Sequence, residues 1–278
     1  MPTLTIATRT LAYEERGSGH PCIVLHGGPG LDGRAIGPRL PDFDGALRLI
    51  TLDLPGHGGS SADSPEEMTL EAMADTVAAF SNAMKLEKPI LLGWSIGGAV
   101  SLLASLRHPA LAGGLLLVGA PAKFDFEGAG PRAIAAGATD AQVAALSTPE
   151  VEDSAAMGRL WATILPMYLH PAHAGLADTL LNGVHFRPET LGPVMGSAVT
   201  YDVRDQLDQI RIPVLAIAGE TDFMVPPSLV RALADALPAG TFEEVAGTGH
   251  FPFAEEPERF AQSVLAWLAK SGLLPHRS

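Results

Sequence analysis

The chain has 278 residues, 47% of them hydrophobic and 18% charged, so it can bury a substantial core rather than remain disordered. Its net charge of −13 comes from 18 basic and 31 acidic side chains without a basic cluster, which disfavours nucleic acid and anionic membrane surfaces as partners. No apolar run approaches the ~18 residues of a membrane span, and no signal-peptide pattern opens the sequence. The single cysteine, Cys22, can form no internal disulfide. We therefore expect a cytoplasmic protein.

The first part of the chain alternates strand-like and helix-like segments. Residues 4–7 and 11–15 alternate in polarity and predict a hairpin. Short apolar runs typical of buried strands follow at residues 22–25, 47–52, 89–92 and 115–118. Thr69 is placed to cap a helix with an apolar stripe. This alternation predicts an α/β protein with a mostly parallel central sheet and helices on both faces.

Strand-like runs disappear between residues 121 and 205, where alanine, glycine and helix formers dominate. We interpret residues 121–205 as an inserted helical cap, between a first core part at residues 1–120 and a second at residues 206–278. The Thr-Pro-Glu run at residues 148–150 predicts a helix start inside this cap. The apolar stripe that follows it consists of Met157, Trp161, Ile164, Leu165 and Tyr168. The core then resumes with predicted strands at residues 212–217 and 241–245 and a closing helix from Pro257.

The most informative stretch joins the predicted strand at residues 89–92 to the next helix. Residues 93–97 read Gly-Trp-Ser-Ile-Gly and match the pattern G-x-S-x-G. Between a strand and a helix, this pattern places Ser95 on a sharp, strained turn above the sheet, at a helix N-terminus that favours negative charge. An ordinary strand-to-helix turn would also satisfy the pattern. The interpretation therefore depends on the other groups that a nucleophilic serine requires.

A serine hydroxyl becomes an effective nucleophile when a base removes its proton and a third group orients that base. Of nine histidines, His250 follows the last predicted strand in a glycine-flanked turn and is the predicted base. Asp222 follows a predicted strand and precedes His250, which is the chain order expected for this kind of turn. Asp125, shortly after the strand that ends at Val118, remains an alternative. His57 lies in a loop at the same edge and is interpreted as structural or substrate-adjacent.

Acyl transfer also requires N–H donors aimed at the developing oxyanion. Ile96, directly after the serine, supplies one donor through its backbone. The glycine-rich run at residues 26–30, His-Gly-Gly-Pro-Gly, is expected to supply the second from Gly28. Substrate-binding residues are expected between cap and core, at Trp94, Trp161, Tyr168 and Met224.

Taken together, five segments resemble the α/β-hydrolase superfamily. They are residues 26–30, 53–60, 93–98, 219–222 and 249–250, and they follow one another in the order found in that superfamily. The His-Gly-Gly-Pro-Gly run resembles that of the proline iminopeptidases. Those enzymes usually carry Asp-Gln-Arg-Gly where this chain has Asp-Leu-Pro-Gly at residues 53–56. They also have a tryptophan directly after the nucleophile, whereas in this chain Trp94 precedes it. The remaining motifs are more similar to small-molecule carboxylesterases and lactonases. That resemblance implies the α/β-hydrolase fold and hydrolysis of an ester or lactone without a metal or organic cofactor.

Two other site patterns are weaker. Residues 28–33 satisfy G-x-G-x-x-G with Asp53 at the end of the next strand, the outline of a dinucleotide site. Pro29 removes an N–H that a pyrophosphate could use, and Pro38 and Pro41 interrupt the helix that should follow. Histidines within the cap lack the cysteine or paired carboxylate that would complete a metal site.

The sequence therefore predicts a serine hydrolase that cleaves a small or medium, mostly neutral ester or lactone through an acyl-enzyme on Ser95. We expect a small-molecule substrate as its partner, and assembly as a homodimer is left open. The alternatives are a proline-iminopeptidase-like aminopeptidase, a non-catalytic receptor on the same fold, and a dinucleotide-binding oxidoreductase. An aminopeptidase would need a cap acid for the substrate's ammonium group. Candidates for that acid are Glu127, Glu150, Glu152 and Glu189.

Overall fold

The computed structural model describes residues 1–43, 45–147 and 151–273. Over these residues eight strands form one sheet. They are β1 (Thr3–Ile6), β2 (Arg9–Gly17), β3 (His20–Leu25), β4 (Leu47–Leu52), β5 (Ile90–Trp94), β6 (Gly114–Val118), β7 (Val214–Gly219) and β8 (Gly240–Val245). Their spatial order is β1-β2-β4-β3-β5-β6-β7-β8. The pairs β1–β2 and β2–β4 are antiparallel, and every later pair is parallel, so the predicted hairpin and the mostly parallel sheet are both confirmed.

Helices cover the sheet and fill the long connections. In the described part of the chain the α-helices are α1 (Leu70–Ala83), α2 (Ile96–Arg107), α3 (Phe126–Ala135), α4 (Asp140–Ser147), α5 (Ser154–Tyr168), α6 (Leu191–Thr200), α7 (Pro227–Ala236), α8 (Pro252–Glu255) and α9 (Pro257–Ser271). Short 3-10 helices occupy Gly33–Ala35, Gly37–Arg39, Pro65–Met68, Pro171–Asp178, Pro188–Thr190 and Arg204–Gln209. The hydroxyl of Thr69 accepts a hydrogen bond from the N–H of Ala72, so the predicted cap of α1 forms. None of the helices in the described ranges has both the length and the apolar character needed to cross a membrane.

Successive residues of each central strand belong to different cores. Ile23 and Leu25 of β3 join a cluster with buried side chains of α1, α2 and α7. Cys22 and Val24 join a second cluster with buried side chains of α5 and α9. Because side chains alternate across a strand, the two clusters lie on opposite faces of the sheet. Burial of both faces explains why the strands read as continuous apolar runs.

The described part of the connection from β6 to β7 contains the helices α3 to α6. We refer to it as the α3–α6 segment. All five residues of the predicted apolar stripe lie on α5 and are buried. The helix start predicted at residues 148–150 lies outside the described residues. The described helix α5 is capped by Asp153, whose carboxylate accepts a hydrogen bond from the N–H of Ala156.

The turn from β5 to α2 is held by close backbone packing. A Cβ atom on Gly97 would lie 2.2 Å from the carbonyl oxygen of Leu25, and one on Gly93 would lie 2.3 Å from the carbonyl oxygen of Gly97. Real Cβ atoms do not approach other atoms so closely, so glycine is required at both positions for steric reasons. The turn therefore brings α2 directly against the end of β3.

Buried polar groups organise the loops at the carboxyl edge of the sheet. The carboxylate of Asp53 accepts hydrogen bonds from the N–H groups of Gly33 at 2.8 Å and Gly59 at 2.9 Å. His26 accepts a bond from the N–H of Leu54 through Nε2 at 3.1 Å and donates from Nδ1 to its neighbour's carbonyl. Each ring nitrogen thus has a defined role, and the imidazole is held in one neutral tautomer. Burial lowers the pKa of His26, in agreement with that tautomer.

His57 belongs to the same buried layer. Its Nδ1 donates to the carbonyl of Pro55 at 2.9 Å, and its ring lies 5.0 Å from that of His26. Burial, reinforced by the charge that His26 would carry, lowers the pKa of His57 from 6.5 to about 3. The ring is consequently neutral in the folded protein at neutral pH.

We predict that Gly97→Ala lowers the free energy of unfolding by roughly 1–3 kcal/mol, because the added methyl group has no room beside Leu25. Urea unfolding followed by circular dichroism measures the change. The matched control is Gly196→Ala in α6, where a Cβ would meet no atom within 4 Å. That exchange should stabilise the protein by about 0.5–1 kcal/mol through helix propensity. Equal unfolding midpoints for the two variants would contradict the steric argument.

We predict that His57 contributes to the pH dependence of stability. Between its unfolded pKa of 6.5 and its folded pKa of about 3, only the unfolded state binds the extra proton. The free energy of unfolding should therefore fall as pH decreases through this window, by about 1.4 kcal/mol per pH unit from this residue. In His57→Asn, whose amide can still donate to Pro55, that contribution should disappear. Identical slopes for the two proteins in chemical unfolding at a series of pH values would refute the prediction.

Candidate active site

Ser95 occupies the turn between β5 and α2. Its backbone has φ 54° and ψ −117°, which is unusual for a residue with a side chain. The conformation is fixed on both sides, because the N–H of Ser95 donates to Val118 at 2.9 Å and its carbonyl accepts from Gly98 at 2.9 Å. The side chain lines a cavity and is 8% exposed. The predicted strained turn is therefore present.

His250 lies between β8 and α8 and lines the same cavity. Its Nδ1 lies 2.6 Å from Oδ2 of Asp222. Since a carboxylate can only accept, Nδ1 carries the proton in this pair, and in the neutral form of the ring the lone pair is then on Nε2. Such an imidazole can accept a proton at Nε2, which is the property that a general base requires.

Asp222 is oriented by the backbone that follows β7. Its Oδ1 accepts hydrogen bonds from the N–H groups of Met224 at 3.0 Å and Val225 at 2.9 Å, which leaves Oδ2 for the histidine. The residue is buried. The rival carboxylate, Asp125, is engaged elsewhere: it accepts from Arg132 at 2.6 Å, and that side chain lowers the pKa of Asp125. The structure thus brings Asp222 to His250 and binds Asp125 to a different partner.

Gly119, directly after β6, is a part of this site that sequence patterns did not reveal. It has φ +53°, and a Cβ there would lie 2.9 Å from the ring of His250 and 3.2 Å from Asp222. Any side chain would therefore press on the histidine–aspartate pair as well as strain the backbone. The one signal in the sequence is a glycine immediately after a buried strand.

The cavity has a volume of about 720 Å³ and is bounded mainly by apolar side chains. Both predicted oxyanion residues and all four predicted substrate-binding residues line it, together with the serine and the histidine. They are Gly28, Ile96, Trp94, Trp161, Tyr168 and Met224. The lining residues of α3 and α6 were not predicted, because each helix has only 10 residues and α3 contains Pro131, so neither gives a strong helical pattern. Their lining residues include Phe126, Ala129, Leu191, Met195 and Val199.

Trp94 forms one side of the cavity and also supports the base. Its indole nitrogen donates to the backbone carbonyl of His250 at 2.9 Å. Its ring packs so closely on Gly27 that a Cβ there would lie 2.8 Å from it. One side chain next to Ser95 therefore touches both the glycine-rich loop and the histidine loop.

The dinucleotide pattern lacks the helix that its chemistry needs. Residues 28–33 are followed by two 3-10 helices, Gly33–Ala35 and Gly37–Arg39, rather than by a long α-helix. Asp53 is bonded to backbone N–H groups and so has a structural partner already. In the described ranges, no three His, Cys, Asp or Glu side chains are grouped so that they could hold a metal ion.

Comparison with known proteins agrees with this architecture. A sequence profile described as "Alpha/beta hydrolase family" matches residues 22–263. The chain is 30% identical over 248 residues to the pimeloyl-[acyl-carrier protein] methyl ester esterase of Aromatoleum aromaticum, covering 86% of this chain and 94% of that protein.

Two solved structures show similar architecture. A thermophilic esterase from Thermogutta terrifontis is 26% identical with a TM-score of 0.73, and the match covers 97% of each chain. The enol-lactonase from Burkholderia xenovorans LB400 is 22% identical with a TM-score of 0.75, covering 96% of this chain and all of that one (100%), and this likeness concerns the fold alone. The profile match extends from within β3 into α9 and so includes Ser95, Asp222 and His250. The chain belongs to the alpha/beta hydrolase family.

Proposed function

We propose that this protein is a serine hydrolase that cleaves a carboxylic ester, cyclic esters included, through an acyl-enzyme on Ser95. The observation that carries the proposal is the shared cavity. It is lined by Ser95, which lies on a strained turn, and by His250. The Nδ1 atom of His250 is hydrogen-bonded to the buried carboxylate of Asp222. This arrangement has the roles of a nucleophile, a base and an orienting group.

In the proposed reaction, Oγ of Ser95 attacks the acyl carbon while Nε2 of His250 accepts the hydroxyl proton. The tetrahedral intermediate then expels the alkoxide, and the imidazolium returns the proton to that leaving oxygen. Water, deprotonated by the same imidazole, attacks the acyl-enzyme, and the second intermediate releases the acid and restores the serine. Asp222 remains ionised throughout and stabilises the imidazolium.

The oxyanion of both intermediates is proposed to be bound by the backbone N–H groups of Ile96 and Gly28. Ile96 is the first residue of α2, where N–H groups point out of the helix and the helix dipole favours negative charge. Gly28 lines the cavity from the opposite loop. The loss of one such donor typically costs about 10² to 10³ in rate.

A neutral, mostly apolar substrate is supported by the chemistry of the cavity wall. Among the described residues that line the cavity, Glu127 is the one acid, and none is lysine or arginine. An apolar wall of this kind would leave a charged substrate group without hydration or a partner. The relative from Aromatoleum aromaticum is a methyl ester esterase, which also favours an ester as the substrate.

We further propose that residues 121–205 form a cap over the core, whose two parts are residues 1–120 and 206–278. Support comes from the cavity, whose lining residues belong partly to α3, α5 and α6 and partly to the loops after β3, β5 and β7. A cytoplasmic location is supported by the single cysteine, Cys22, which is buried and free. Assembly as a homodimer stays a prediction, which light scattering of the purified protein checks.

An aminopeptidase is the second candidate, and one observation favours it. Glu127 lies in the first turn of α3, lines the cavity and is exposed, so it could bind an ammonium group at the cavity mouth. Of the other acids considered from the sequence, Glu152 and Glu189 do not line this cavity, and Glu150 lies outside the described residues.

We predict that an organophosphonate ester labels Ser95 covalently, because the reagent resembles the tetrahedral intermediate and needs an activated serine. Peptide mass spectrometry of the treated protein locates the adduct. Ser95→Ala should remove the label and lower kcat on a short-chain aryl ester by roughly 10⁴-fold or more. Ser105→Ala changes a serine of α2 whose hydroxyl donates to the carbonyl of Ser101, and it should keep both the label and kcat. Absence of label on Ser95 would favour a receptor over an enzyme.

We predict that a short-chain aryl ester is turned over faster than a prolyl anilide, because the described lining of the cavity is mainly apolar and includes no buried acid that could bind an ammonium group. Initial rates on the two substrates decide the ranking. If the anilide is faster, Glu127→Gln should abolish its advantage, whereas Glu152→Gln, the same change outside the cavity, should preserve it. That pattern would replace the esterase with an aminopeptidase.

A further inference from the structure

Glu255, the last residue of α8, is a buried carboxylate that the proposed reaction does not use. Its residue exposure is 4%. One oxygen accepts hydrogen bonds from the N–H groups of Gly249 and Phe251, each at 3.0 Å, and the other from Gly249 at 2.9 Å and His170 at 2.7 Å. Both carboxylate oxygens are therefore filled by backbone donors from two separate segments.

Two of these donors lie on either side of the proposed base. Gly249 precedes His250 and Phe251 follows it, so the carboxylate of Glu255 binds the backbone N–H groups of both residues next to the histidine. The other backbone anchors of His250 are its own N–H, which donates to Tyr168 at 2.7 Å, and its carbonyl, which accepts from Trp94. The imidazole thus extends from a loop whose peptide groups are held at three successive residues.

The third donor connects this loop to the wall of the cavity. His170 follows α5, whose last residue, Tyr168, lines the cavity. Glu255 accepts from His170, and His250 donates to Tyr168, so two hydrogen bonds run in opposite directions between the same segments. The two segments pack closely, because a Cβ on Gly249 would lie 2.2 Å from the carbonyl oxygen of Tyr168. The loop that carries His250 is therefore held against the end of α5 by backbone hydrogen bonds.

Burying a carboxylate costs more desolvation free energy than burying an apolar side chain of similar size. Burial raises the pKa of Glu255, and the N–H groups of Gly249, His170 and Phe251 act against that rise by binding the ionised form. A protonated His173 would act in the same direction as these N–H groups, and its Nε2 lies 3.4 Å from a carboxylate oxygen of Glu256. An apolar side chain would avoid the desolvation penalty but would leave three backbone donors without partners. The carboxylate is consequently matched to the geometry of the loop.

We propose that Glu255 is a positioning residue: its carboxylate holds the His250 loop at the distance and angle from Ser95 that proton transfer requires, and couples that loop to the wall formed by α5. The inference rests on the proposed function, since it assigns a role relative to the proposed base. Glu255 itself exchanges no proton with the substrate. Its contribution is geometric and acts through the backbone of residues 249–251.

The test is Glu255→Gln. Glutamine keeps the size of the side chain but replaces one acceptor oxygen by an NH₂ group, which must face the N–H of Gly249 together with that of either Phe251 or His170. We expect the loop to shift, and a displacement of about 1 Å at a catalytic group lowers the rate by up to about 10²-fold. The expected result on a short-chain ester is a kcat reduced roughly 10- to 100-fold with a much smaller change in KM. The end of α5 is the part of the cavity wall that is tied to Glu255, whereas the lining residues of α3 and α6 belong to other segments.

A second readout reports on the base directly. The proton between His250 and Asp222, in a 2.6 Å hydrogen bond, should give a separate downfield resonance in the proton NMR spectrum of the wild-type protein. In Glu255→Gln we expect that resonance to shift or broaden. If Glu255→Gln does not fold, Glu255→Asp, which keeps the charge but withdraws the carboxylate by one methylene, takes its place and should show the same loss in kcat and the same NMR change.

The matched control is Glu243→Gln. Glu243 lies on the edge strand β8 and accepts a hydrogen bond from Ser263, so the exchange removes the same charge away from the loop. It should leave kcat and the downfield resonance as in the wild-type protein. Val230→Ala, on the buried face of α7, serves as a destabilised reference with an intact site.

A lowered Tm in the Glu255 variant with kcat and the NMR resonance both at wild-type values, as in Val230→Ala, would overturn the inference and leave a purely structural role. Failure of the proposed function looks different. Wild-type protein that neither hydrolyses esters nor reacts with an organophosphonate at Ser95 would refute both, whereas labelled wild-type protein with an unaffected Glu255 variant would refute the positioning role alone.

Discussion

The close backbone packing at the β5–α2 turn is the constraint on which the rest of the site depends. Gly97 lies against the carbonyl of Leu25, and Gly93 lies against the carbonyl of Gly97, with no space for a Cβ at either position. Because α2 must begin this close to β3, Ser95, midway between the two glycines, takes up a strained conformation at φ 54°. Strain of this kind persists only where the surrounding structure over-determines it. Here the sheet supplies that support, and Ser95 is fixed at the edge of the cavity rather than free to relax into the helix.

Around this serine the remaining groups arrive from distant parts of the chain, and each is anchored through backbone groups. Asp222 is set by two N–H groups of its own turn, and His250 by Asp222, Tyr168 and Trp94. A loop residue can hold a precise position only if its peptide groups are satisfied, since a mobile loop would lose the alignment that proton transfer needs. The three side chains are therefore positioned by hydrogen-bonded loops at the carboxyl edge of the parallel sheet. In open α/β sheets this edge is where ligands bind.

Charge is distributed so that the acidic surface and the cavity have different characters. The chain carries a net charge of −13, yet the described lining of the cavity contains a single acid and neither lysine nor arginine. Two histidines, His26 and His57, belong to the buried polar layer beneath the glycine-rich loop. Both are neutral, because burial lowers their pKa. Such a layer can satisfy backbone groups without placing a cation beneath the loop. It is a consistent setting for chemistry in which the new charge, an oxyanion, is bound by backbone N–H groups.

The sequence by itself determined the class of fold and the positions of the strands, because residues buried on both faces of a parallel sheet must be apolar at every position. It also singled out Ser95, since only glycines fit on either side of so tight a turn, and it capped α1 correctly at Thr69. Which carboxylate meets His250 was decided by the tertiary structure, which binds Asp125 to Arg132 and brings Asp222 to the histidine. Likewise, Gly119, Glu255 and the cavity walls of α3 and α6 carry no pattern of their own. Their roles arise from contacts between segments far apart in the chain, and local periodicity reports only on neighbours.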